Sequence, residues 1–268
     1  MEPVAEVWAG DRAGRARHRG RYGIDGGFAG PTVFGVMEAG LAGTVAWAMR
    51  HRKPAVAALA GAGGAAVAGS EASYLYSTGP GKRVIWAQVL DELELRGDEH
   101  VLDVGCGRGA VLMLAARRLP TGRAVGADVW RRRDQSGNSR AATERNAVAE
   151  GVRDRVELFD ADARDLPFAS ASFDLVVSSL ALSNIRAVGG RAQALRETVR
   201  VLRPGGRLRV ADDGADRYAA VLRDAGCTDI AVRRLDWRTW YGIPGHHFPL
   251  VAAARPTAAQ QPQASSSA

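Results

Sequence analysis

One stretch constrains this chain more than any other: Val101-Leu102-Asp103-Val104-Gly105-Cys106-Gly107-Arg108-Gly109. An apolar run closes on a carboxylate, turns through three glycines at alternate positions, and enters the helical pattern of 109–119. Glycine permits positive φ and close approach of backbone to a ligand. The helix behind it offers free N–H groups and the positive end of its dipole. The bland alternative is a tight strand–helix connection with no ligand. The next apolar run, 124–127, ends in Asp128, where an acid in a βαβ unit accepts hydrogen bonds from ribose hydroxyls.

Strand-like runs stand at 100–104, 123–128, 155–159, 173–178, 206–211, 228–235 and 247–253. Helical patterns at 109–119, 139–150, 190–202 and 215–225 separate the first six. Strands alternating with helices predict a parallel, doubly wound α/β sheet. The last two runs are joined only by a short Trp/Gly/Pro-containing link, which permits an antiparallel edge hairpin. Four units are expected: a flexible basic segment over 1–27, an apolar helical hairpin or membrane anchor over 28–76, the α/β domain over 77–255, and a disordered tail over 256–268.

The apolar segment runs from Phe28 to Met49, meets the basic tetrad Arg50-His51-Arg52-Lys53, and resumes from Ala55 to Gly69 in Ala, Gly and Val. The first run has the length that spans a bilayer, and Gly and Ala in the second suit close helix packing in lipid. Glu38 then has to face the partner helix. A basic tetrad at the turn opposes the positive-inside tendency for a full hairpin, and an interfacial lie removes that conflict. Two packed soluble helices are the rival reading. The expectation is membrane association through 28–69, on the cytoplasmic side of the membrane or, failing the anchor, in the cytoplasm. The net charge of +7 comes almost wholly from Arg, since Lys53 and Lys82 are the only lysines. With heavy Ala and Gly usage this is coding bias, so no nucleic-acid partner is expected; the dense cluster Arg12 to Arg21 precedes an apolar stretch, where membrane-surface charge is the better reading. The two cysteines and five histidines form no metal-ligand spacing, so no metal is expected.

The remaining motifs follow in order. "GADVW" closes on Asp128, "DADARDLPF" holds Asp162 and Ala163, "FDLVVSSLAL" holds Ser178, and "VLRPGGRL" leads from a helix into a strand. Together with "VLDVGCGRG" they resemble the class I S-adenosylmethionine-dependent methyltransferases over residues 98–211. The resemblance implies a Rossmann-like, seven-stranded, mostly parallel sheet with the last strand inserted antiparallel. It implies S-adenosylmethionine as cofactor, with Asp103, Gly105, Gly107 and Gly109 lining its methionine half, Asp128 holding the ribose, Asp162 and Ala163 the adenine, and Ser178 facing the transferred methyl. Pairing Tyr74 to Lys82 with Asp134 to Ser139 resembles a subgroup of small bacterial membrane-linked members.

Ser183-Asn184 stand where many small-molecule members carry a histidine, so that loop supplies no histidine base. Sulfonium methyl transfer needs alignment of the partners and exclusion of water, and a base only where the acceptor must lose a proton. Candidates for the acceptor side are Asp134, Asn138, Asn184, Tyr241 and His246, with Trp240 and His247 beside them; each also has a plain reading as loop or packing residue. The acceptor is expected to be a small molecule, lipid-like or quinone-like if the anchor is real. Rival readings are an NAD(P)-dependent oxidoreductase, since Gly105-x-Gly107-x-x-Ala110 satisfies a permissive dinucleotide fingerprint, and a non-catalytic membrane-tethered module. Asp103 at the strand end and the Pro204-Gly205-Gly206 turn oppose the oxidoreductase.

Overall fold

Strands form where apolar, β-branched runs are bounded by glycine, proline or charge. The computed structural model describes residues 19–243, 248–257 and 259, and has β1 His100–Val104, β2 Arg123–Asp128, β3 Val156–Asp160, β4 Phe173–Ser179, β5 Leu202–Ala211, β6 Thr228–Arg234 and β7 Pro249–Ala254. They make one sheet in the order β3-β2-β1-β4-β5-β7-β6, with β7 antiparallel to β5 and β6. The chain order reverses between β1 and β4, and open α/β sheets take ligands beyond the strand carboxyl ends at such a point. β5 begins at Leu202, before the Pro204-Gly205-Gly206 turn expected to precede it. The turn is drawn into the sheet because Gly205 N–H donates to Arg255 O and Arg255 N–H to Gly206 O, both at 2.8 Å.

Side chains of successive strand residues alternate between faces. Val101 therefore packs with α3 (Lys82–Asp91), α4 (Ala110–Arg117) and α5 (Arg140–Ala149), while Leu102 and Val104 pack with α6 (Gly190–Val201) and α7 (Ala215–Asp224). Asp103 falls on the α4 side at the strand tip, inside the core yet beside the glycine turn.

Ahead of the sheet, α1 (Ala29–Arg50) and α2 (Pro54–Tyr76) fold back on each other through His51-Arg52-Lys53. At about 1.5 Å per residue each is some 33 Å long. Gly63 brings α2 close to the Leu41 side chain of α1. Most of the hairpin faces outward, with Val33, Val36, Met37 and Leu59 exposed and Glu38 half-buried. Both helices are long and apolar enough to cross a membrane. α2 passes through π-type turns at Ser77–Gly81 into α3, so residue 77 marks a change of packing within one helical rod, where a domain boundary was expected.

The expectation of a flexible segment over 1–27 needs correction for residues 19–27; residues 1–18 lie outside the described ones, as does most of the tail. Residues 19–27 form a strap over the α/β domain. Gly20 N–H donates to Glu150 Oε1 and Arg21 N–H to Asn146 Oδ1, both at 2.9 Å, and Tyr22 is buried with its hydroxyl donating to Glu150 at 2.7 Å. Ile24 and Ser136 exchange hydrogen bonds, and Gly26 N–H donates to Asp134 O. Polarity and glycine content suggested disorder; backbone pairing to a distant loop overrides it.

Candidate functional site

A cavity of about 300 Å³ opens beyond the carboxyl ends of β1, β2 and β4. The glycine turn makes its floor. Gly105 has φ +70 and a Cβ there would stand 2.2 Å from the Ala181 Cβ; Gly107 has φ +52 and a Cβ would stand 2.5 Å from Gln135 Oε1. Both line the cavity. Gly109, expected among the cofactor residues, lies outside the lining: it caps α4 in the left-handed region and packs on Met113 and Thr143. Two bulky residues take the same unfavourable region, Leu180 after β4 (φ 54), which lines the cavity, and Trp130 after β2 (φ 56), which packs against the core beside it. Strain of this kind persists where surrounding structure over-determines it.

The carboxylates differ in what they face. Asp128 Oδ2 accepts from Gly107 N–H at 2.8 Å and its Oδ1 from Trp130 N–H at 2.6 Å. Burial pushes its proton affinity up while those N–H groups pull it down. Asp103 is only 2% exposed, and burial, then the Asp128 charge, push its pKa up to about 7. A carboxyl so placed gains most from a cationic ligand. Asp162 and Ala163 line the cavity, but the Asp162 carboxylate is taken bidentately by Arg164 at 2.9 and 2.6 Å, which holds its pKa low. Ser178 is a correction: it is fully buried and donates to Val104 O at 2.9 Å, tying β4 to β1. The side chain that reaches the cavity is the next one, Ser179, because alternation turns its neighbour inward.

Of the acceptor-side candidates, Asp134, Asn138 and Asn184 line the cavity. Asn138 is buried and its Oδ1 has no hydrogen-bond partner among the described residues. Tyr241 stands behind the wall, buried against Phe248 and Tyr74, with its hydroxyl donating to Asp25 Oδ2 at 2.8 Å. Trp240 spends its indole N–H on Ile243 O. His246 and His247 lie outside the described residues.

Sequence reasoning missed the ionic centre of the wall. Asp25, from the strap, pairs with Lys82 at the start of α3; the two side chains are 14% and 7% exposed, and both line the cavity. Gln135 Nε2 reaches Asp25 Oδ1 at 3.3 Å, and the Tyr74 hydroxyl donates to Asp25 O. The two unusual sequence segments, Tyr74 to Lys82 and Asp134 to Ser139, therefore meet at Asp25. Their joint presence was the one available signal, and it did not point to residue 25. Leu180 belongs both to the cavity wall and to the apolar cluster of Phe34, Tyr74, Tyr241 and Phe248 at the base of the hairpin.

These residues fit an adenosyl sulfonium amino acid. Bare backbone at Gly105 and Gly107 leaves room, Asp103 can answer positive charge, Asp128 lines the cavity at the end of β2, Lys82 can meet a carboxylate, and Asn138 holds an unused acceptor. A methyltransferase domain model matches residues 102–210. "Methyltransferase GfsG" of Streptomyces halstedii is 36% identical over 56% of this chain and 51% of its own. A "Demethylmenaquinone methyltransferase" of Symbiobacterium thermophilum is 34% identical over 43% of each. The chain thus spans about half the length of the curated relatives it matches. A geranyl diphosphate C-methyltransferase from Streptomyces coelicolor, solved with S-adenosyl-L-homocysteine, superposes with TM-score 0.51 at 18% identity over 63% of this chain and 74% of that one, a likeness of fold. With five motifs in register, the strand order that reverses at β1 and β4, and a family model over the same residues, the stretch 102–210 is a methyltransferase domain of the class I S-adenosylmethionine-dependent type, with S-adenosylmethionine as the cofactor of that type.

Proposed function

We propose that the chain methylates a small, apolar-bodied acceptor that reaches the site from a membrane surface. One observation carries the reading: Leu180 is shared by the cofactor cavity and the apolar cluster at the foot of a hairpin whose outer surface is largely apolar. An acceptor leaving the lipid along α1 and α2 would meet apolar surface as far as the cavity wall. Relatives named for demethylmenaquinone act on a molecule of that kind by name.

When bound, S-adenosylmethionine supplies a methyl already activated on a cationic sulfur. The chain's own part is placement. The Gly105 and Gly107 backbone admits the cofactor closely, Asp103 faces its cationic amino-acid half, Lys82 answers its carboxylate, and Asp128 takes the ribose. Leu180 and the strap keep water from the wall they cover. Alignment and water exclusion of this sort are worth about 7–11 kcal/mol of barrier. A proton, where the acceptor carries one, has carboxylates at Asp25 and Asp134 within the wall.

The test is transfer of radiolabelled methyl to a membrane extract by the purified chain, with the product identified by mass spectrometry. Label in the organic-extractable fraction is expected, together with flotation of the protein on liposomes. Label confined to water-soluble products, or protein that ignores liposomes, overturns the membrane-borne acceptor.

A further inference from the structure

An open groove lies between α6 and α7, distinct from the cofactor cavity. Its floor is apolar, made by Leu195 and Val221. Its edges carry three arginines, Arg186, Arg191 and Arg217. Arg191 is fixed: its Nε donates to Ile185 O at 3.2 Å and its Nη2 to Ser183 O at 2.7 Å. The first turn of α6 also belongs to the groove, adding the positive end of a helix dipole. Tyr218 is the decisive residue. It is only 3% exposed and lines the groove, yet its hydroxyl has no hydrogen-bond partner among the described residues. A buried hydroxyl without a partner is costly. Acidic groups stand nearby: Asp213 and Asp216 are exposed, and buried Asp212 spends its carboxylate on the N–H groups of Ser183 and Asp213. The groove edge therefore presents donors and positive charge over an apolar floor.

Ile185, Arg186 and Ala187 belong both to this groove and to the cofactor cavity. A molecule held in the groove needs only to cross that segment to reach the cofactor. We propose that the groove between α6 and α7 is a subsite for the acidic head, phosphate or carboxylate, of an amphipathic methyl acceptor, with Tyr218, Arg191 and Arg217 as its donors. This rests on the methyltransferase reading above and gives its acceptor a charge as well as an apolar body. Arg191 serves geometry, Arg217 and Arg186 serve charge, and the Tyr218 hydroxyl gains the partner it lacks.

The test is calorimetric titration of the full chain with octyl phosphate, octanol and inorganic phosphate, each with and without S-adenosylhomocysteine. Octyl phosphate is expected to bind more tightly than either half of it alone. Tyr218→Phe and Arg217→Glu should each weaken it by about tenfold or more, the usual worth of a hydrogen bond or ion pair to a charged group. Neither variant should alter S-adenosylhomocysteine affinity, and Tyr218→Phe should hold or raise the melting temperature, since no internal hydrogen bond is lost and a buried unpaired hydroxyl is removed. Octyl phosphate that fails to bind, that binds no better than inorganic phosphate or octanol, or that is indifferent to both variants overturns the subsite. Wild-type protein that binds octyl phosphate but not S-adenosylhomocysteine instead overturns the methyltransferase reading and leaves the groove standing.

Discussion

The two walls of the cofactor cavity are built by different means. The β1–β2 wall is made of backbone. Gly105 and Gly107 lie in the turn that follows β1, Asp128 ends the adjacent strand β2, and the Asp128 carboxylate accepts from the N–H groups of Gly107 and Trp130. The opposite wall is made of side chains from remote parts of the chain, Asp25, Lys82 and Gln135, and is backed by Tyr241, 216 positions from Asp25. A backbone wall fails when space is taken from it. A side-chain wall fails when one charge loses its partner. The same cavity should therefore respond to substitution with lost binding on one side and lost stability on the other.

The largest effect on binding is expected at Gly105. Its φ of +70 disfavours any side chain, and a Cβ meets Ala181 at 2.2 Å. Gly105→Val should abolish measurable S-adenosylhomocysteine binding, a loss beyond about a hundredfold, or roughly 3 kcal/mol. Far-ultraviolet circular dichroism should show the sheet retained, because the residue follows β1 and does not sit within it. Affinity within tenfold of wild type would mean that the backbone wall does not touch the cofactor.

The side-chain wall should break differently. Lys82→Met leaves the Asp25 carboxylate buried without its cation, and removing one partner of a buried pair costs about 3–5 kcal/mol. Urea unfolding in mild detergent should show that loss, and adding Asp25→Asn should recover at least half of it. A Lys82→Met variant that unfolds like wild type would show that the strap is held by its hydrogen bonds to Asp134, Ser136, Asn146 and Glu150 without help from the ion pair.

This difference in construction also explains what could be read beforehand. The strands of the sheet and the places of Asp103, Gly105, Gly107 and Asp128 are local in sequence: each follows from an apolar run and the turn that ends it. Ser178 and Gly109 mark the limit of that approach, since a motif names a neighbourhood while strand alternation and helix capping decide which member faces the cavity. Asp25 was hidden for the opposite reason. Its surroundings, Gly23, Gly26 and Gly27, look like a flexible leader, and nothing local says that a lysine, a glutamine and a tyrosine from three other segments converge on it. The hairpin stands between: its apolar helices were legible, but the continuity from its foot to Leu180 is a tertiary fact.

Asp103 belongs to both walls, and it yields the smallest but sharpest test. Burial and Asp128 raise its pKa to about 7, while Lys82, across the cavity, lowers it. Because the folded value lies above the unfolded one of about 4, the folded chain holds this proton longer. The stabilising contribution of the neutral carboxyl is complete below about pH 4 and is lost as pH rises toward 7. Ligand binding runs the other way, since a cationic amino group needs the ionised form. S-adenosylhomocysteine affinity should therefore climb between about pH 6 and 7, by close to tenfold per unit below the midpoint, and level off above it. Calorimetry across that range on wild type and Asp103→Asn should show the climb in the first and a flat profile in the second. In Lys82→Met the midpoint should move upward, because a neighbouring cation has been withdrawn. A midpoint that stays in place would mean that the two walls, though they face the same ligand, do not feel each other's charge.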